Sequence, residues 1–268
     1  MSLMELMIWT ISLFLMMLNF NHSYSYFAHS LYVYKSSFHV SSFVYLLGVF
    51  LFIMSNLEFH FKHPTTIQVS GPTLCGKTRL VLRILEEQLV QPFPTRIIWV
   101  FSEWQADYEQ ARALYPHIEF VRGWSDELYE SLRQDEKNLL IIDDQMVEAG
   151  DSKTLSNLFT KGAHHKNLTV LYLVQNVYNK SKSQRTVSLN THYNVVFRTE
   201  RDASQFCSLE YQMHPGDARW LIDAFNDATK EPLGYLVLDH HPTSQRDMRV
   251  LTNILPGKGL TVYMKRSI

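Results

Sequence analysis

Eight consecutive residues, Gly71-Pro72-Thr73-Leu74-Cys75-Gly76-Lys77-Thr78, constrain this chain more than any other feature it carries. They satisfy G-x-x-x-x-G-K-[ST], the Walker A pattern, in full. Before them stands a short β-rich run, Thr66 to Ser70, and after them the apolar residues from Thr78 to Gln88 recur at helical spacing. A strand, a glycine-bearing loop and a helix in that order can wrap one anion. The backbone N–H groups of the loop turn inward, the helix offers its N-terminus to the same charge, and Gly76 has no Cβ to obstruct the approach. The whole stretch Gly71 to Thr78 is therefore expected to cradle the phosphates of ATP. Lys77 would reach the β and γ phosphates, and the Thr78 hydroxyl would ligate Mg²⁺.

Downstream, Asn138 to Asp144 (NLLIIDD) is an apolar run ending in two acids, the pattern of a Walker B strand. Ligands of open α/β sheets bind outside the carboxyl ends of the strands, so these acids would face the same crevice as the loop. Asp143 is expected to hold Mg²⁺ through its water shell, and Asp144 to orient or deprotonate the attacking water. Paired acids also solvate ordinary strand ends; the preceding phosphate loop is what favours the catalytic reading. Gln175 and Asn176 follow the apolar strand Leu168 to Val174, and the Gln175 amide is expected to report on the γ phosphate and the lytic water. The plain alternative is a loop beginning with a turn-forming Asn. Arg185, Arg198 and Arg201 come next, with Arg185 the first choice for an arginine finger reaching across a subunit interface. Surface arginines with no such role are the other reading.

Around these motifs, strand-like and helix-like segments alternate from Phe59 onward. Strands are expected at Arg96 to Phe101, Ile118 to Val121, Tyr193 to Arg198 and, last, Gly234 to Asp239. Helices are expected from Gln105 to Tyr115, from an N-cap at Ser125, over Leu155 to Lys161, and near 202–212 and 216–229. Leu221, Ile222 and Phe225 share one helical face and read as core. Such alternation predicts a P-loop NTPase fold, a three-layer α/β/α arrangement with a mainly parallel central sheet. The expected ATPase domain spans residues 59–255, followed by a tail at 256–268.

Residues 1–58 differ in character. Two apolar runs, 6–20 and 43–54, fall short of the roughly 20 residues that span a bilayer. Three readings stay open: a membrane or signal segment, a small packed extension, or a stretch upstream of a functional product starting at Met54. The formal net charge of −1 supplies no global basic field, so contact with a polyanion would need a local patch. Lys161, His164, His165 and Lys166 are one such patch, or merely a solvated face. Cys75 and Cys207 show no disulfide or zinc spacing, which suits an intracellular setting.

Five blocks, FKHPTTIQVSGPTLCGKT, RIIWVFSEWQADY, NLLIIDD, LFTKGAHHKNLTVLYLVQN and SLNTHYNVVFR, together resemble the genome-packaging ATPases of large eukaryotic DNA viruses. These form a poxvirus-type branch of the FtsK/HerA superfamily, and related copies are typical of virus-derived and Polinton-like elements. The resemblance implies Lys77 and Thr78 on nucleotide and Mg²⁺, Asp143 and Asp144 at the hydrolytic centre, and Gln175 as the sensor amide. It further implies a homo-oligomeric ring that pumps double-stranded DNA into a capsid through a portal or vertex protein, in the cytoplasm, the nucleus or a virus factory. Two positions depart from the pattern: Leu74 stands where many relatives have Gly or Ser, and KGAHH lacks the Arg that poxvirus-type members place before their His. A catalytically silent nucleotide-binding remnant and a membrane-tethered NTPase unrelated to packaging are the competing functions.

Overall fold

Continuous apolar runs such as RIIWVF and LTVLYLV have no polar face to give to water, so they must be covered on both sides, as parallel sheets are. The computed structural model, which describes residues 58–143, 157–175, 182–199 and 218–265, shows them covered in this way. Two short strands, β1 (Phe61–Lys62) and β3 (Val90–Gln91), pair in parallel apart from the main sheet. The main sheet comprises β2 (Thr66–Ser70), β4 (Arg96–Phe101), β5 (Glu119–Arg122), β6 (Asn138–Asp143), β7 (Leu168–Val174), β8 (Tyr193–Phe197), β9 (Tyr235–Asp239), β10 (Val250–Thr252) and β11 (Thr261–Val262). Its order is β5-β4-β6-β7-β2-β8-β9-β10-β11. The strands from β5 to β8 in that order run parallel, and β9, β10 and β11 add an antiparallel extension.

Side chains alternate across the sheet and separate the core into two sides. On one side Ile97, Trp99, Leu139, Ile141, Leu171 and Leu173 pack with α1 (Lys77–Glu86) and α2 (Ala106–Leu114). Leu80, Val81, Ile84 and Leu85 form the buried face of α1, and Tyr108 and Ala111 that of α2. On the other side Ile98, Val100, Leu140, Ile142, Val170 and Tyr172 meet Leu158, Phe159 and Val187. The first two belong to α4, a π-type turn (Leu158–Gly162) continued by Ala163–His165, and Val187 to α5 (Lys182–Leu189). Further along that side, Val196, Leu236 and Leu238 pack with Leu221, Ala224 and Phe225 of α6 (Ala218–Ala228). The fold is three-layered, α/β/α, with a mainly parallel sheet.

Local chemistry sets the element ends. Ser125 caps α3 (Asp126–Glu130), its Oγ accepting from the Leu128 N–H at 3.2 Å, and two acids occupy the first turn. Charged pairs flank the β5 edge, with Arg96 Nε 2.8 Å from Glu119 and Arg122 Nη2 2.9 Å from Glu103. Among the described residues no helix is long and apolar enough to cross a membrane. The apolar runs before residue 58 lie outside the described residues, as does the helix expected near 202–212.

Three features differ from the sequence expectation. β5 is shifted by one residue from Ile118–Val121, because Ile118 turns into the core while Glu119 takes the pairing position beside Ile98. Lys182–Leu189 is helical although its sequence, KSQRTVSL, is largely polar. Gly234 to Asp239 is not the last strand: β10 and then β11 follow it and extend the sheet.

Candidate functional site

Strand register brings the motif residues to one edge of the sheet. Ser70 at the end of β2 pairs with Val174 of β7 and with Val196 of β8, and Asp143 at the end of β6 pairs with Leu173. Gly71, Asp143, Gln175 and Arg198 therefore all leave the sheet at its carboxyl edge, with β7 interposed between β2 and β6. The Gly71 N–H donates to the Val174 carbonyl at 3.1 Å, tying the start of the loop to the strand that delivers Gln175. Gln175 and Arg198 are both exposed.

The loop's glycines are required by their surroundings. A Cβ on Gly71 would lie 2.7 Å from both Cys75 Sγ and Phe197 Cβ. Gly76 has φ of 104°, a left-handed conformation that disfavours side chains, and a Cβ there would meet Leu233 Cδ2 at 3.1 Å. Leu233, itself left-handed in the turn after α6, and Phe197 of β8 thus wall the loop. Gly76 is also the residue that opens α1, and no side chain caps that helix. Its leading N–H groups are left to serve another acceptor. Lys77 Nζ folds back to donate to the carbonyl oxygens of Gly71 at 2.6 Å and Pro72 at 3.0 Å. Leu74, at φ 66°, is 95% exposed, so its substitution at the loop tip leaves the inward backbone face untouched. Burial pushes the Cys75 thiol up, with the nearby Lys77 ammonium opposing, and so this cysteine is a neutral packing group.

These contacts give a direct expectation. Gly71→Ala forces Sγ of Cys75 and Cβ of Phe197 to give way, because a contact of 2.7 Å is not tolerated. Thermal unfolding should register a loss of ~1–3 kcal/mol, with weakened nucleotide binding. A variant as stable as the parent would show that the loop yields at Gly71 without cost.

Asp143 is half-buried and accepts two hydrogen bonds on Oδ2, from Gln105 Nε2 at 3.2 Å and from the Tyr108 hydroxyl. The sequence reading assigned neither donor a role. The available signal was their i, i+3 spacing at the start of the helix that follows β4, the strand beside β6. Burial first, and then the Asp143 carboxylate, pushes the Tyr108 phenol well above its ordinary range, so it stays a donor.

The other expected residues fall as follows. Thr78 is half-buried in the first turn of α1. Arg185 lies in α5, its side chain outside the described residues, and Asp144, Asn176 and Arg201 are outside them altogether. Lys161, His165 and Lys166 sit just before β7, at the edge opposite Gln175, and Lys166 Nζ lies 3.7 Å from Glu130 and 5.2 Å from the centre of the Tyr129 ring. Among the described residues no group of three or more His, Cys, Asp or Glu is placed to hold a metal. Mg²⁺ does not require one, since it takes most of its ligands from phosphate and water, and a hydroxyl with one carboxylate suits it.

A strand, an eight-residue glycine loop and an uncapped helix set in a mainly parallel three-layer sheet define a P-loop NTPase fold. The chain matches no known family profile and no curated protein. Among solved structures it is similar to the genome packaging NTPase B204 from Sulfolobus turreted icosahedral virus 2 in complex with sulfate, at 13% identity over 76% of this chain and 98% of that one, TM-score 0.47. It is also similar to B204, the DNA-packaging ATPase from Sulfolobus Turreted Icosahedral Virus, at 11% identity over 76% and 99%, TM-score 0.46. EssC (ATPases 2 and 3) from Geobacillus thermodenitrificans is similar at 14% identity, over 76% of this chain and 41% of that one, TM-score 0.45. Likenesses this distant leave the chemistry to be read from the chain's own residues.

Proposed function

We propose that this chain is a Mg²⁺-dependent ATPase that drives double-stranded DNA translocation for viral genome packaging. The observation that carries the ATPase reading is the complete GPTLCGKT loop opening an uncapped α1, on the same sheet edge as Asp143. The DNA-packaging part rests on the sequence blocks that resemble packaging ATPases, and so do the ring of identical subunits, the capsid partner and an intracellular site of action.

In this reading the loop N–H groups and the α1 N-terminus bind the triphosphate. Lys77 exchanges the Gly71 and Pro72 carbonyls for β and γ phosphate oxygens. Thr78 and Asp143 hold Mg²⁺, which neutralises charge on the phosphate oxygens when bound. Asp144 orients the water and takes its proton, Gln175 senses the γ phosphate, and Arg185 reaches a neighbouring subunit's site. Gly71, Pro72, Thr73, Leu74, Cys75 and Gly76 contribute backbone and shape, not reactive side chains.

The deciding measurement is phosphate release by the full chain in Mg²⁺ and ATP, with and without linear double-stranded DNA. Hydrolysis that rises several-fold with DNA is expected. Failure to bind any nucleoside triphosphate overturns the ATPase reading; hydrolysis indifferent to DNA overturns the translocase.

A further inference from the structure

The two donors on Asp143 come from one helical turn. Gln105 stands at the extended N-cap position of α2, and the Tyr108 N–H closes that turn on the Gln105 carbonyl at 3.1 Å. Three residues apart, their side chains leave the helix on one face and converge on the same carboxylate oxygen, Oδ2. Tyr108 has no freedom to do otherwise. It is fully buried, and its ring is fixed among Trp99 at 5.1 Å, Trp104 at 5.5 Å, Phe101 at 5.7 Å and Phe120 at 5.9 Å. A carboxylate hanging from a strand end can normally rotate about its last torsion. One whose Oδ2 is gripped by a rigid phenol and an amide cannot, and its Oδ1 is presented in a fixed direction.

We infer that Gln105 and Tyr108 are positioning residues for the metal site: they clamp Oδ2 of Asp143 and fix the carboxylate that, with Thr78, would hold Mg²⁺. The inference rests on the proposed role of Asp143 and gives it a supporting layer, of the kind that fixes ligand orientation in metal sites generally. It also gives the block SEWQADY a task beyond helix formation, joining the end of β4 to the hydrolytic centre. The competing account is that the buried phenol only needs an acceptor. That account predicts a loss of stability without any change specific to metal.

The test uses the full chain and its Tyr108→Phe and Gln105→Ala variants. Mn²⁺ binding is followed by electron paramagnetic resonance in saturating ATPγS, nucleotide binding is titrated separately in EDTA, and both are repeated in an Asp143→Asn background. Tyr108→Phe keeps the ring packing and should weaken Mn²⁺ binding about 10- to 100-fold, with little change in EDTA. The effect should vanish once Asp143 is Asn. Gln105→Ala, at a half-exposed helix start, should weaken Mn²⁺ in the same selective way and carries the test if Tyr108→Phe does not fold. Unchanged Mn²⁺ binding overturns the inference, and so does an equal loss with and without metal. A parent protein that binds no nucleotide in either condition overturns the ATPase reading itself, and the clamp along with it.

Discussion

Lys77→Ala abolishes ATP turnover while the protein stays folded. The side chain is half-buried, and its only described partners are two loop carbonyls, Gly71 and Pro72. Truncation leaves those oxygens near solvent and removes nothing from the buried face of α1, which Leu80, Val81, Ile84 and Leu85 supply. What disappears is the one cation within the loop. A positioned donor to charge that grows in the transition state is worth about 2.7–4 kcal/mol, or ~10²–10³ in rate, and an ammonium on two phosphates should reach the upper end or beyond. Phosphate release should fall to background while the thermal midpoint stays within a few degrees of the parent. Turnover at a comparable rate would show that GPTLCGKT is not the phosphate loop in use.

Asp144→Asn should separate binding from chemistry. Asn matches Asp in shape but cannot accept the proton of the attacking water, whereas Asp143, the carboxylate proposed to hold the metal, is left in place. ATP and Mn²⁺ should bind as in the parent, and single-turnover hydrolysis should slow by ~10²–10⁴. A parent-like single-turnover rate would remove Asp144 from the mechanism. Binding lost together with turnover would instead place it among the metal ligands.

Much of the architecture was legible because buried parallel strands announce themselves. The range Leu168–Val174 was read from its almost wholly apolar run, β4 and β6 likewise coincide with hydrophobic segments, and β2 was read as a short β-rich run before the loop. The strand, loop and helix around Gly71 to Thr78 were legible through the motif's fixed spacing. The grip of Gln105 and Tyr108 on Asp143 was not, because it depends on β4 lying next to β6, and strand order is a tertiary fact that local periodicity does not encode. Phe197 and Leu233 as walls of the loop were hidden for the same reason: they arrive from β8 and from the turn after α6. The strands β10 and β11 are three and two residues long, too short to show any alternation. The helix Lys182–Leu189 was missed because polar residues dominate KSQRTVSL and Val187 alone gives no periodic apolar pattern.

The margins of the sheet bear on how copies of this protein can meet. Among the described residues, one margin is β5, four residues long and flanked by the Arg96–Glu119 and Arg122–Glu103 ion pairs; the other is β11, only two residues long. Charge and brevity are what discourage strands from annealing to a neighbour. Copies set side by side therefore would not fuse into one continuous β-ribbon. Their contacts would fall to helices and connecting turns, surfaces that can slide and re-seat without tearing a hydrogen-bonded ladder apart.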